Sequence, residues 1–276
     1  MRFTSTKQEN LIIGTSRSAQ GLRPDIFNNI LKKKFYNYSF TVAHSPYGPT
    51  YLNSIKKKLK SNVENGTFIL TIDPWSISSW TDDPNDVDKF RELKLCLKNT
   101  PLVNINPNPI YFFNNYNGDY KKLIMKKSSP MFLHNNGWLE VSVDMDSTVV
   151  EERINEKVKD YKKNLSSFSK KSDLRIYYLI ETIKYLQNHG DVFLVRMPIH
   201  PKIMQIEEEF MSDFESEIYE AIEISSGYLD LTEFNGDYIY TDGNHLYKDS
   251  GIIVSEKVSK WVKNTKANEL LKPVYY

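Results

Sequence analysis

The chain carries a single cysteine, Cys96, among 276 residues. One thiol allows no disulfide within the chain and no cysteine-based metal site. Cys96 sits in the apolar stretch 93–97, so its default reading is a small buried hydrophobe; a lone cysteine does not decide the compartment. Net charge is almost absent too, since 36 Lys and Arg against 35 Asp and Glu leave +1. That balance supplies no global field to attract nucleic acid or an acidic membrane. No apolar run reaches the ~18 residues a membrane span requires, and the polar residues 1–10 do not read as a signal peptide. As it stands the chain reads as cytoplasmic; a strand that begins as early as Leu11 leaves open a fragment of a longer, anchored protein working outside the membrane. The five histidines show no His-x-x-x-His spacing. The Gly-x-Gly-x-x-Gly dinucleotide signature is missing as well. No metal, nucleotide or other cofactor is implied.

What is present is bulk. Apolar residues make up 40% of the chain, with 18 Tyr, 14 Phe and 4 Trp, enough to bury a sizeable core. Residues 1–276 read as one α/β domain. Short apolar runs at 11–13, 38–42, 67–72, 192–196 and 228–231 are rich in Val, Ile and aromatics and mostly lack alternation, as strands covered on both faces do. Helical patterns lie at 24–34, 51–59, 84–97, 173–188, 202–225 and 249–262. The clearest has a stripe of Ile176, Ile180, Ile183 and Leu186. The alternation predicts a doubly wound, flavodoxin-like three-layer α/β/α fold on a five-stranded parallel sheet. Residues 100–170 break the rhythm and read as an inserted loop and hairpin region, with one hairpin arm at 137–141 and a charged helix at 148–161. The lysine runs at 32–34 and 56–58 read as solvated helix faces.

Ligands of open parallel sheets bind beyond the carboxyl ends of the strands, so residues just after each strand carry the most information. After the first strand comes Gly14-Thr15-Ser16-Arg17-Ser18. A hydroxyl in that turn is either an ordinary helix cap or a nucleophile beside backbone N–H groups suited to an oxyanion. Near the far end stands Asp242-Gly243-Asn244-His245. An Asp three residues before a His can orient the imidazole, which then takes a proton from a hydroxyl; the plain alternative is Asp-Gly-Asn turn chemistry.

Together, the two motifs resemble the SGNH (GDSL-type) hydrolase superfamily. The resemblance implies Ser16 as nucleophile, His245 as general base and Asp242 as its orienting partner. It implies the Ser16 and Gly48 amides as oxyanion donors. The Ser16-Arg17 pair and the Pro74-Trp75-Ser76 stretch are closest to branches that acylate or D-alanylate cell-surface polysaccharides. The expected activity is therefore that of a serine esterase or acyltransferase on small O-acyl esters, of a carbohydrate above all, with a membrane-bound acyltransferase as the partner such branches suggest. The family's third-block asparagine, an oxyanion donor, is absent: the chain reads Ile72-Asp73-Pro74-Trp75-Ser76. Either Ser76 or another group replaces it, or the domain is slow, or it is a non-catalytic relative binding a glycan or a partner protein. A phosphate or cofactor binder of flavodoxin type is a third option. Arg17, His44, Trp75, Ser76 and Arg196 are candidate pocket residues. For Trp75 the alternative is a core plug, for Arg196 a structural ion pair. His200 reads as a helix-start residue, and His134 and His189 as loop or helix-end residues.

Overall fold

The computed structural model describes residues 5–40, 45–79, 81–95, 97, 109, 113, 129–165 and 169–270. His44 and Cys96 lie outside them, as do residues 100–128 of the expected insertion apart from 109 and 113.

Strands β1 (Asn10–Ile13), β2 (Phe35–Asn37), β3 (Gly66–Thr71), β8 (Gly190–Arg196) and β9 (Gly227–Asp230) form one sheet in the order β2-β1-β3-β8-β9. Every pairing in it is parallel. Counting the sheet strands alone, the order is 2-1-3-4-5, that of a flavodoxin-like doubly wound sheet. Two small antiparallel pairs lie outside it: β4 (Ser78–Ser79) with β7 (Ser169–Lys171), and β5 (Met131–Leu133) with β6 (Leu139–Val141).

Successive strand residues point to opposite faces, and the core divides accordingly. Leu11, Ile13, Phe68, Leu70, Val192 and Leu194 pack on one face with residues of helices α3 (Pro49–Lys58), α5 (Asp173–Gln187), α7 (Phe214–Glu217) and α8 (Tyr219–Ile224). Ile12, Ile69, Phe193 and Val195 pack on the other, with Phe27 of α2 (Pro24–Leu31) and Val254, Val258 and Val262 of α9 (Lys248–Leu270). Burial on both faces is why these strands read as continuous apolar runs. A third cluster joins Trp75 to Ile203 and Ile206 of α6 (Pro201–Phe210), with Val158, Tyr161 and Leu165 of α4 (Ser147–Leu165) packed against it. Among the described residues no helix is long and apolar enough to cross a membrane.

Three expectations are corrected. The second strand is Phe35–Asn37 and excludes 38–40, while 41–42 of the expected run lie outside the described residues. The chain does continue along β1, with Tyr38 N–H donating to Ile12 O (2.7 Å) and Phe40 N–H to Gly14 O (2.9 Å). The 84–97 pattern forms only short 3-10 turns, Val87–Lys89 and Arg91–Lys94. Its anchors are Phe90, Leu97 and Glu92, the last paired with Arg175 in the interior, and their irregular spacing suits no single helical face. The 202–225 pattern is three helices, not one, because the chain leaves helical geometry at Met211, with φ −153° and ψ 79°, and again at Ile218, with φ −104° and ψ 10°.

The lysine run at 56–58 also splits. Lys56 and Lys57 are exposed, but Lys58 is fully buried. Its ammonium donates to Ser5 O (2.7 Å) and Ser5 Oγ (2.8 Å) and lies 5.4 and 5.3 Å from the ring centres of Tyr36 and Tyr38. Burial pushes its pKa from 10.5 down to about 7. Between those values the unfolded chain holds the extra proton, so stability rises with pH across that window and the charge penalty is complete below it. The unfolding free energy of the native chain, measured with urea against Lys58→Met, is expected to climb from pH 7 to pH 10 by up to ~1.4 kcal/mol per pH unit. A constant difference contradicts this.

Candidate active site

β1 ends at Ile13, and the chain must turn at once beneath its neighbours. A Cβ at Gly14 would overlap Thr71 Oγ1 and Ser18 Oγ, two hydroxyls joined by a 2.9 Å hydrogen bond. Only glycine passes there. Thr15 then caps the short helix α1 (Ser16–Gly21), its hydroxyl accepting from Arg17 N–H at 3.4 Å. Ser16 thereby stands at the first position of α1, at the carboxyl end of the sheet.

The second half of the site is a turn just ahead of α9. Tyr240 and Leu246 form an antiparallel bridge, and Thr241 N–H donates to His245 O at 2.9 Å. Gly243 adopts φ +82° inside the turn, a left-handed conformation that favours glycine. The Asp242 carboxylate accepts from the backbone N–H groups of Asn244 (3.0 Å) and His245 (2.9 Å). Those two bonds fix the carboxylate before it meets the imidazole.

His245 Nδ1 lies 3.0 Å from each Asp242 oxygen, and His245 Nε2 lies 2.8 Å from Ser16 Oγ. An ionised carboxylate only accepts, so Nδ1 carries the proton and Nε2 is left to accept from the Ser16 hydroxyl. Burial alone would raise the Asp242 pKa. The hydrogen bond and charge of His245, Lys157 of α4 at 3.3 Å and the Asn244 amide outweigh it and hold the carboxyl well below the usual range. The side chains of His245 and Asp242 are 14% and 19% exposed, so solvent reaches the pair.

The other candidates lie elsewhere. Arg17 points into the interior. Its guanidinium donates to Glu207 Oε1 at 2.6 Å and to Asn244 Oδ1 at 3.0 Å, and reaches Asp73 Oδ2 at 3.7 Å. Trp75 is buried, stacked on Phe210 with ring centres 4.4 Å apart, and its indole N–H donates to Glu207 at 2.7 Å. That is the core-plug arrangement. Ser76 is fully buried and closes a capping box with Asp73. Arg196 pairs with Asp230 (3.5 Å) and Glu207 (3.9 Å) over the Phe214 ring, as a structural ion pair does. Gly48 opens α3 against the buried Glu92–Arg175 pair, where a side chain would overlap both. His200 caps α6, accepting from Lys202 N–H at 3.2 Å. His134 pairs with Glu140 at 2.9 Å, and His189 Nδ1 lies 3.1 Å from Val63 O.

Sequence reasoning missed four residues here: Lys157, Tyr161, Glu207 and Asn244. Tyr161 OH donates to Asn244 Oδ1 at 2.6 Å, and Asn244 Nδ2 lies 3.2 Å from His245 Nε2. Among the described residues, no three His, Cys, Asp or Glu side chains gather where a metal ion could be held. No protein-family model and no curated protein matches the chain.

Proposed function

We propose that the chain is a serine hydrolase or acyltransferase acting on small O-acyl esters through Ser16, His245 and Asp242. The observation that carries the reading is the 2.8 Å contact between Ser16 Oγ and His245 Nε2, with Nδ1 of the same ring held by Asp242. Residues 229 positions apart in sequence meet there in the order that proton transfer needs. Ser16 Oγ attacks the ester carbonyl while its proton passes to Nε2. The resulting imidazolium is stabilised by Asp242, which stays ionised. The proton then goes to the departing alcohol as the carbonyl re-forms, leaving an acyl group on Ser16. Water, or a sugar hydroxyl, gives its proton to Nε2 and takes the acyl group, and that proton returns to Ser16 Oγ as it leaves. The backbone N–H of Ser16 is one donor to the oxyanion in this scheme.

A carbohydrate ester is the proposed substrate class, on the Ser16-Arg17 and Pro74-Trp75-Ser76 resemblance. A second reading, a relative that binds a glycan or a partner protein without turnover, draws on the third block. There Asp73 presents a buried carboxylate in place of an amide donor. The two readings separate on one assay. Release of alcohol from an aryl acetate by the purified chain, above the rate in buffer, is the result expected of the hydrolase; none at high protein concentration favours the binding relative.

A further inference from the structure

Asn244 is 6% exposed and lies in the turn between the base and its carboxylate partner. Its carboxamide has a fixed orientation. Oδ1 accepts from Arg17 Nε at 3.0 Å and from Tyr161 OH at 2.6 Å. A guanidinium N–H can only donate, so the oxygen must face it and the amino group must face the triad. Nδ2 accordingly stands 3.2 Å from His245 Nε2, the atom that also receives the Ser16 hydroxyl at 2.8 Å. An imidazole nitrogen offers one lone pair. The Ser16 O–H takes it at the shorter distance, and the Asn244 N–H is left with a weak share.

We infer that Asn244 is a catalytic residue, its side-chain N–H donating to the oxyanion in place of the asparagine absent from the third block. The inference rests on the proposed esterase reading. Its logic is the change in partners along the reaction. Once Nε2 has taken the serine proton it becomes a donor, and the Asn244 N–H beside it loses its acceptor. At the same moment a negative oxygen forms on the carbon bonded to Ser16 Oγ. The donor is therefore poorly used with the free enzyme and well used in the transition state, which is the condition for accelerating the chemical step. Arg17 and Tyr161 act through Asn244 as positioning residues, which ties the buried ionic network to the site.

The test is steady-state hydrolysis of an aryl acetate by the native chain, Ser16→Ala, Asn244→Ala and Asn244→Asp. Asn244→Asp keeps an acceptor for Arg17 and Tyr161 while setting a carboxylate oxygen where the N–H stood beside His245 Nε2, so it guards against a variant that fails to fold and is read on kcat alone. Both Asn244 variants are expected to lose about a hundred- to a thousandfold in kcat, with KM changed little; in Asn244→Ala the apparent pKa of the base in kcat/KM stays unmoved. Native turnover that survives in both Asn244 variants to within about threefold overturns the donor while leaving the esterase reading intact. In Asn244→Ala, a lost kcat accompanied by a displaced base pKa assigns Asn244 to positioning His245 and overturns it too. Native turnover that Ser16→Ala does not reduce overturns the reading and the donor together.

Discussion

Ser16→Ala and His245→Ala are each expected to lower turnover of a small acyl ester by about 10⁴-fold or more, and the double variant to be no worse than either alone. The non-additivity is the informative part. In the proposed mechanism Ser16 attacks only as His245 takes its proton, across the 2.8 Å contact. Removing either partner removes the whole step, so nothing is left for the second substitution to abolish. Asp242→Asn preserves the shape but not the function. It replaces an ionised acceptor, which the His245 and Asn244 N–H groups and Lys157 hold in charged form, with a neutral amide that no longer selects the Nδ1–H tautomer. A loss on the order of 10⁴-fold is expected there too. Initial rates on an aryl acetate measure all four variants. Additive losses would mean that Ser16 and His245 act independently, and the triad assignment would fail.

Glu207→Ala is expected to lower the unfolding free energy by about 3–5 kcal/mol, the usual penalty for stripping one partner from a buried ion pair. Glu207 is 1% exposed and serves three groups at once: Arg17 at 2.6 Å, the Trp75 indole at 2.7 Å and Arg196 at 3.9 Å. Burial works against the Arg17 charge, and Glu207 with Asp73 outweighs it. Without Glu207, Arg17 keeps the longer 3.7 Å contact to Asp73 and its bond to Asn244. The Trp75 N–H loses its acceptor as well. Urea unfolding, read as a midpoint shift at unchanged slope, checks the figure; a change under ~1 kcal/mol would show that the network is not structural. Glu207→Gln, which still accepts from Trp75, is expected to lose less.

Much of the scaffold was legible because it depends on local pattern. β1, β3 and β8 are nearly continuous apolar runs, and the structure buries them on both faces. Their carboxyl ends identified the places to search, so Gly14-Thr15-Ser16 and Asp242-x-x-His245 could be read as a pair. β2 was misplaced because its last residue, Asn37, looks like turn chemistry. In the structure its amide is buried, donating to Ser18 O and Leu22 O at 2.8 and 2.9 Å. Arg17, Trp75 and Arg196 looked like pocket residues because a charge or a large ring after a strand has two meanings that sequence alone cannot separate. Their shared partner, Glu207, stands in the run Glu207-Glu208-Glu209, where nothing local distinguishes the buried carboxylate from its neighbours. Asn244 was hidden for a related reason. Asp-Gly-Asn is ordinary turn vocabulary, and the second use of its asparagine depends on Arg17 and on Tyr161, 83 positions away.

The central claim is that Ser16 is a nucleophile activated by His245. Exposure of the folded native chain to a fluorophosphonate, followed by peptide mapping, tests it most directly. The account predicts phosphonylation at Ser16, lost in Ser16→Ala and strongly slowed in His245→Ala. A folded native protein that stays unlabelled at long exposure, or takes the label on a residue other than Ser16, contradicts it.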